Sequence, residues 1–164
     1  MGTLLIVCHA NTARSIMAHV LLERMLADRD AHHRVRIRSG GIANYARDGM
    51  LPSLDARIVL REEGIELDEH SLTSTDLRRH RHLISEADLI LTMTVEQKTA
   101  IEAYAEAAGR SVFTLREFAG EAGNIEDPAT QGEDVFRSCR DEIKRCLVLA
   151  LDRLLVTFPE SARL

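Results

Sequence analysis

Cys8 and Arg14 are separated by His9-Ala10-Asn11-Thr12-Ala13, a run of small and polar residues, and Ser15 follows directly. A thiol and a guanidinium at this spacing are suited to phosphoryl transfer. A loop of this kind at a helix N-terminus turns successive backbone N–H groups, here those of His9 through Ser15, toward an anion. The same field favours a thiolate, because a cysteine at a helix N-terminus has a depressed pKa. Arg14 offers a planar fork that grips two phosphate oxygens and offsets charge in the transition state. Ser15 is positioned to donate a hydrogen bond to the sulfur.

Spacing alone is weak support, since Cys139 and Arg145 repeat it. Six residues of helix rotate by about 600°, which places that pair on different faces. The intervening Arg140-Asp141-Glu142-Ile143-Lys144 is too bulky and charged to wrap an anion. Cys139 therefore reads as core packing, the usual fate of a free cysteine. Cys139 and Cys146 lie roughly 10 Å apart along one helix, beyond disulfide reach.

The elements that must hold the loop follow from hydrophobic pattern. Leu4-Leu5-Ile6-Val7 is a continuous apolar run and reads as a buried parallel strand ending at Cys8. Met17, Val20, Leu21, Leu22, Met25 and Leu26 recur at helical spacing between Ile16 and Asp30. Val35-Arg36-Ile37 is a second strand that stops at Ser39-Gly40-Gly41. Pro52, Leu54, Ile58 and Val59 start and continue a helix that Gly64 ends. A short helix is expected within Ser74 to Glu86, a third strand over Asp88 to Met93 and a helix over Val95 to Ala108. A fourth strand follows over Val112 to Leu115. Val135, Cys139, Ile143, Leu147, Ala150 and Leu154 mark the inner stripe of a long last helix. Strands alternating with helices predict an α/β fold, one domain spanning 1–164, built as a three-layer sandwich on a central four-stranded parallel sheet. Ligands of such sheets bind at strand carboxyl ends, where Cys8 falls.

Composition narrows the function classes. The chain has 164 residues, a net charge of -5 and only 4% aromatics, so aliphatic residues must fill the core. An acidic balance argues against a nucleic-acid partner. The basic run Arg78-Arg79-His80-Arg81-His82 is expected to be a solvated helix face beside acidic neighbours. Three cysteines do not form a secreted disulfide framework, and the apolar run at Leu4 to Val7 is too short for a signal or membrane segment. A cytoplasmic, reducing setting with no membrane partner is expected. His80 and His82 are expected on different helix faces, and no Cys or His spacing matches zinc, so no metal and no cofactor are expected.

Val7-Cys8-His9-Ala10-Asn11-Thr12-Ala13-Arg14-Ser15 resembles the signature of the low-molecular-weight protein-tyrosine phosphatases, a family that includes arginine phosphatases and thioredoxin-coupled arsenate reductases. The likeness extends through Ser39-Gly40-Gly41, Asp88 to Met93, Val112 to Glu117 and Asp127-Pro128. It implies a phosphotyrosine phosphatase I-like fold, a cysteinyl-phosphate formed on Cys8, and Asp127 as general acid and then base. It also implies that Asn11, Ser15, Ser39 and His70 support the loop and that Tyr45 and Thr12 line the substrate pocket. The implied substrate is a phosphorylated protein or peptide, with phosphotyrosine the first class. Phosphoarginine is the alternative, because Thr12 matches the arginine-phosphatase branch. An arsenate-reductase relay needs cysteines between Thr92 and Ala108; none is present, so no thioredoxin relay is expected. A non-catalytic phosphopeptide-binding module would need the cradle without Asp127. The sequence departs from the family at Ala10, where glycine is usual, at Ala13, where a second cysteine is common, and at Ala129-Thr130-Gln131. A left-handed backbone at Ala10 would cost about 1–2 kcal/mol.

Overall fold

The computed structural model describes residues 1–68 and 70–161. Four parallel strands form its sheet: β1 (Gly2–Cys8), β2 (Val35–Gly41), β3 (Leu89–Thr92) and β4 (Ser111–Thr114), in the order β2-β1-β3-β4. Around them lie α1 (Arg14–Asp28), α2 (Leu54–Glu62), α3 (His82–Ser85), α4 (Val95–Glu102), α5 (Leu115–Phe118) and α6 (Glu133–Thr157).

The period-2 alternation of strands decides which layer each β1 side chain enters. Leu4, Ile6 and Cys8 join a core with Met17, Leu21 and Leu22 of α1 and Phe136, Ile143 and Leu147 of α6. Leu5 and Val7 face the other layer, with Ile42, Leu77, Ile84 and Ile101. This is the three-layer α/β sandwich expected from the sequence. The chain passes from β1 to β2 on one side and then crosses to β3 on the other, so β1 ends at the switch point of the sheet. Cys8 pairs with Gly41 in register, and Val7 with both Gly40 and Thr92.

Several boundaries differ from the sequence expectation, each for a local reason. Only His82–Ser85 of the segment 74–86 is helical, because Asp76 accepts hydrogen bonds from Arg78 and holds the residues before it in turns. His80 and His82 consequently stand edge to face, 5.9 Å apart, rather than on opposite helix faces. The acidic neighbours expected for this basic run are Asp76, Asp48 and Glu106. α4 stops at Glu102 and a 3₁₀ turn over Ala105–Ala107 replaces its last part. Leu115 leaves the fourth strand because Thr114 and Glu117 form a capping box that starts α5. In α6, Val135 is 37% exposed and Phe136 is the inward residue at that turn.

α2 and α6 are locked by charge. Arg140 donates to the Val59 carbonyl and to Glu62 Oε1, both at 2.7 Å, and Arg137 donates to both oxygens of the Glu62 carboxylate. That clamp fixes the helix whose first turn faces the β1 loop. Among the described residues, no helix is long and apolar enough to cross a membrane.

Candidate active site

The loop between β1 and α1 is held by a continuous chain of hydrogen bonds centred on Asn11. Asn11 adopts a left-handed backbone, φ 60°, a conformation that asparagine tolerates better than most residues. Its Oδ1 accepts the backbone N–H of Thr75 at 2.9 Å, which can only be a donor. The amide orientation is thereby fixed, and Nδ2 donates to Ser15 Oγ at 2.7 Å. Ser15 in turn lies 3.0 Å from Cys8 Sγ, so its own hydroxyl proton is free to point at the sulfur. The Asn11 backbone N–H also donates to Sγ, at 3.3 Å. Two hydrogen-bond donors thus converge on one sulfur.

Ala10 does not have a positive φ; the left-handed residue of the loop is Asn11. The departure from glycine at Ala10 therefore carries no backbone strain. Glycine is required instead at Gly41, where a Cβ would stand 2.6 Å from the His9 carbonyl oxygen. The loop lies directly on that backbone: Ile42 and Ala43 donate to the carbonyls of Cys8 and His9.

α1 begins at Arg14 with Ala13 as its cap and no side-chain acceptor for its first N–H groups. Those donors are left to an anion. Arg14 itself is 2% exposed; its Nη1 donates to the Ile125 carbonyl at 2.7 Å, and its Nη2 lies 3.9 Å from Asp127 Oδ2. Ile125 is fully buried and donates to the Met93 carbonyl at the end of β3. The segment carrying Asp127 is thus tied both to the sheet and to the guanidinium. Asp127 Oδ1 accepts the Ala129 N–H, an Asx turn, and its carboxylate remains 44% exposed. Thr130 follows at φ 63°, an uncommon backbone for a β-branched residue and one glycine would adopt freely.

A cavity of about 270 Å³ brings these groups together, lined among others by Cys8, His9, Ala10, Thr12, Ala13 and Arg14. Tyr45 and Asp127 stand on its rim. The Tyr45 hydroxyl is pushed above its ordinary pKa, mainly by burial, then by the negative charge of Asp127, with Arg14 opposing and Cys8 adding to the rise. Its ring stands 6.3 Å from that of His9.

Sequence reasoning missed three lining residues, Ser53, Asp55 and Phe136. The Ser53 N–H donates to the Thr12 carbonyl at 2.8 Å, which joins the start of α2 to the loop. Ser39 is buried and its Oγ meets His19 Nδ1 at 3.0 Å; among the described residues it makes no side-chain hydrogen bond to the loop. The structure does not bring His70 to the loop either. That residue is exposed, and its backbone N–H faces Asp68. Thr75 takes the supporting place assigned to it.

Cys139 is buried, with its sulfur 3.9 Å from the Glu126 carbonyl, and burial pushes its thiol up to about 12. It packs in the core, as the interior of its Cys-x5-Arg segment predicts. Far from the pocket, the exposed Asp30, His32 and His33 each bring one ligand-type atom within 4.8 Å of the others, a grouping that the sequence reading had not picked out.

The model of the family "Low molecular weight phosphotyrosine protein phosphatase" matches residues 3–155. A protein-arginine-phosphatase of Geobacillus stearothermophilus is 34% identical over 153 residues, covering 92% of this chain and 95% of the relative. The low molecular weight protein-tyrosine-phosphatase PtpB of Staphylococcus aureus is 27% identical, covering 85% of this chain and 90% of the relative. The solved structure of YwlE arginine phosphatase from Geobacillus stearothermophilus superposes with a TM-score of 0.81 at 30% identity, covering 99% of this chain and all of that one. A matched span running from β1 to the last turns of α6 takes in the loop, the Asp127 segment and the whole sheet between them. This chain belongs to the low molecular weight phosphotyrosine protein phosphatase family.

Proposed function

We propose that this chain is a protein phosphatase that works through a cysteinyl-phosphate intermediate. One observation carries the reading: Cys8 Sγ, with donors from Asn11 and Ser15, shares a single cavity with Arg14 and Asp127. The Cys8 thiolate attacks phosphorus, a P–S bond forms and the bond to the leaving group breaks. Arg14 and the backbone N–H groups of residues 9–15 hold the phosphoryl oxygens. Asp127 gives its proton to the departing atom. Its carboxylate then takes a proton from water, which attacks phosphorus, breaks the P–S bond and releases inorganic phosphate. We place the whole reaction within one domain spanning 1–164, acting in the cytoplasm on phosphorylated proteins.

Phosphotyrosine is the first substrate class, with Tyr45 as the ring at the rim. Phosphoarginine is the second reading, favoured by Thr12 in the cavity wall and by Asp55, a second carboxylate lining the same cavity as Asp127 and of the charge that suits a guanidinium. Both relatives named for arginine dephosphorylation support it. The test compares phosphotyrosine and phosphoarginine peptides on wild type and Thr12→Ile. Loss of phosphoarginine turnover in the variant, with phosphotyrosine turnover kept, supports the second reading. Equal change on both substrates removes Thr12 from substrate choice.

A further inference from the structure

The chain turns from α1 into β2 over residues 29–34, and three ligand-type side chains leave that turn together. One donor atom each from Asp30, His32 and His33 lies within 4.8 Å of the other two. The imidazoles of His32 and His33 stand edge to face, 5.7 Å apart. All three side chains are exposed, so an ion in solvent has open access to them.

The backbone of the turn is fixed although its side chains are free to rotate. The N–H groups of Asp30 and Ala31 donate to the carbonyls of Ala27 and Leu26, which ends α1, and the Arg34 N–H closes on the Ala31 carbonyl at 3.1 Å. Ala31 is 1% exposed and joins the core that contains Leu26 and Val35. Asp30 has the left-handed backbone of a helix end, φ 53°, where glycine is the usual residue. A carboxylate therefore stands at a position that suits glycine, and two imidazoles follow the buried anchor.

The charges around the turn suit a cation. α1 has no basic residue in its last turn and ends in Asp28, so the negative end of its dipole is unanswered from within the helix. The arginines that bracket the turn are directed to other carboxylates, Arg29 to Asp152 at 3.7 Å and Arg34 to Glu160 at 3.8 Å. Glu160 also faces His33 Nε2 at 3.6 Å. That contact leaves Nδ1 of the ring for a metal, in the carboxylate–histidine–metal order that orients metal-bound imidazoles.

Two imidazoles and a carboxylate match a borderline divalent ion, Zn²⁺ above all. Ligand atoms about 2.0–2.2 Å from a tetrahedral ion stand about 3.3–3.6 Å from one another, so the cluster needs at most about 1.5 Å of closure. Rotation of exposed side chains supplies it without disturbing the core.

We propose that Asp30, His32 and His33 bind a divalent ion of the Zn²⁺ type, with water completing its shell and Glu160 positioning His33. The site is separate from the chemistry at Cys8. Val35 pairs with Gly2 and Gly41 with Cys8, so the turn lies at the opposite edge of the sheet, about 20 Å from the pocket along β2. The bound ion ties the end of α1 to the residues after α6 and acts on stability rather than turnover.

The test titrates zinc chloride into untagged Cys8→Ala protein by calorimetry, because a reactive thiolate would itself capture the ion. Saturable binding of one Zn²⁺ per chain is expected. Asp30→Gly should weaken it by at least about 10-fold, and the double variant His32→Ala, His33→Ala by at least as much. Glycine relieves the backbone at that position, so a loss there reads the ligand and not unfolding. His80→Ala is the control, since His80 and His82 form another close pair of rings, and it should leave affinity unchanged. Zn²⁺ should raise the melting temperature of the background protein and not that of the double variant. With Cys8 intact, the double variant should turn over p-nitrophenyl phosphate at the wild-type rate. Absence of saturable binding overturns the proposal. So does affinity that survives the Asp30 or the paired histidine changes, or that is lost in His80→Ala.

Discussion

Arg14 and Asp127 are joined through Ile125: the Arg14 guanidinium donates to the Ile125 carbonyl at 2.7 Å and leaves its second nitrogen 3.9 Å from the Asp127 carboxylate. The residue expected to bind phosphate therefore also positions the segment that carries the acid. Arg14→Lys has a point charge and no fork, and loses both connections. Its kcat/KM on p-nitrophenyl phosphate is expected to fall by at least about 10²-fold, with kcat and KM both affected. A change confined to KM would separate the two roles.

Asp127→Ala is expected to slow kcat on aryl phosphates by about 10²-fold or more while the inhibition constant for inorganic phosphate changes little, because the anion rests on the loop and Arg14. Steady-state kinetics with inorganic phosphate as competitor read both. A variant matching wild type would place the proton donor elsewhere.

Asn11→Ala removes the hydrogen bonds to Thr75 and Ser15 and forces alanine into a left-handed backbone. The expected destabilisation is about 3–4 kcal/mol, from about 1–2 for the backbone and about 1 for each of the two hydrogen bonds. Urea unfolding measures it. Asn11→Gly should recover the backbone part and not the rest.

The three thiols should differ sharply in native protein. Burial pushes Cys139 up to about 12 and also raises Cys146, so both stay protonated and inert at neutral pH. Iodoacetamide is expected to label Cys8 alone, and phosphate should protect it. Mass spectrometry of the digested protein reads the positions; labelling of Cys139 before unfolding would contradict the packing described.

Arg137 first, and Arg140 with it, hold the Glu62 carboxyl down to about 2 from an ordinary value near 4.5. A carboxylate depressed in the folded state contributes stability that is present above its unfolded pKa and lost as pH falls through the folded one. Stability should therefore decline between about pH 4.5 and pH 2, and Glu62→Gln should flatten that part of the curve. Thermal unfolding at stepped pH checks it. An unchanged slope in the variant would assign acid sensitivity to other carboxylates.

Much of this site could be read in the sequence because it is local. The loop lies between an apolar run and an amphipathic helix, and those patterns alone place Cys8 at a strand end and Arg14 at a helix start. The parallel sheet with helices on both faces follows from strands alternating with helices along the chain, whereas the strand order β2-β1-β3-β4 does not. What the sequence did not yield is contact at long range. Thr75 supports Asn11 from 64 residues away, and Ser53 and Asp55 join the pocket through a backbone hydrogen bond to Thr12. Neither leaves a pattern along the chain. His70 was placed by likeness, and its turn carries the side chain to the surface. Phe136 was overshadowed by Val135, one step around the same helix, because periodicity fixes a face only to within a residue.

The central claim is that phosphate is held covalently on Cys8 during turnover. The most direct measurement quenches the Asp127→Ala variant in acid during turnover of p-nitrophenyl phosphate and maps the phosphorylated residue by mass spectrometry. The account predicts one phosphoryl group, on the peptide that carries Cys8 and absent in Cys8→Ala, with turnover lost in Cys8→Ser. Phosphate on another residue, or turnover that persists in Cys8→Ser, would contradict it.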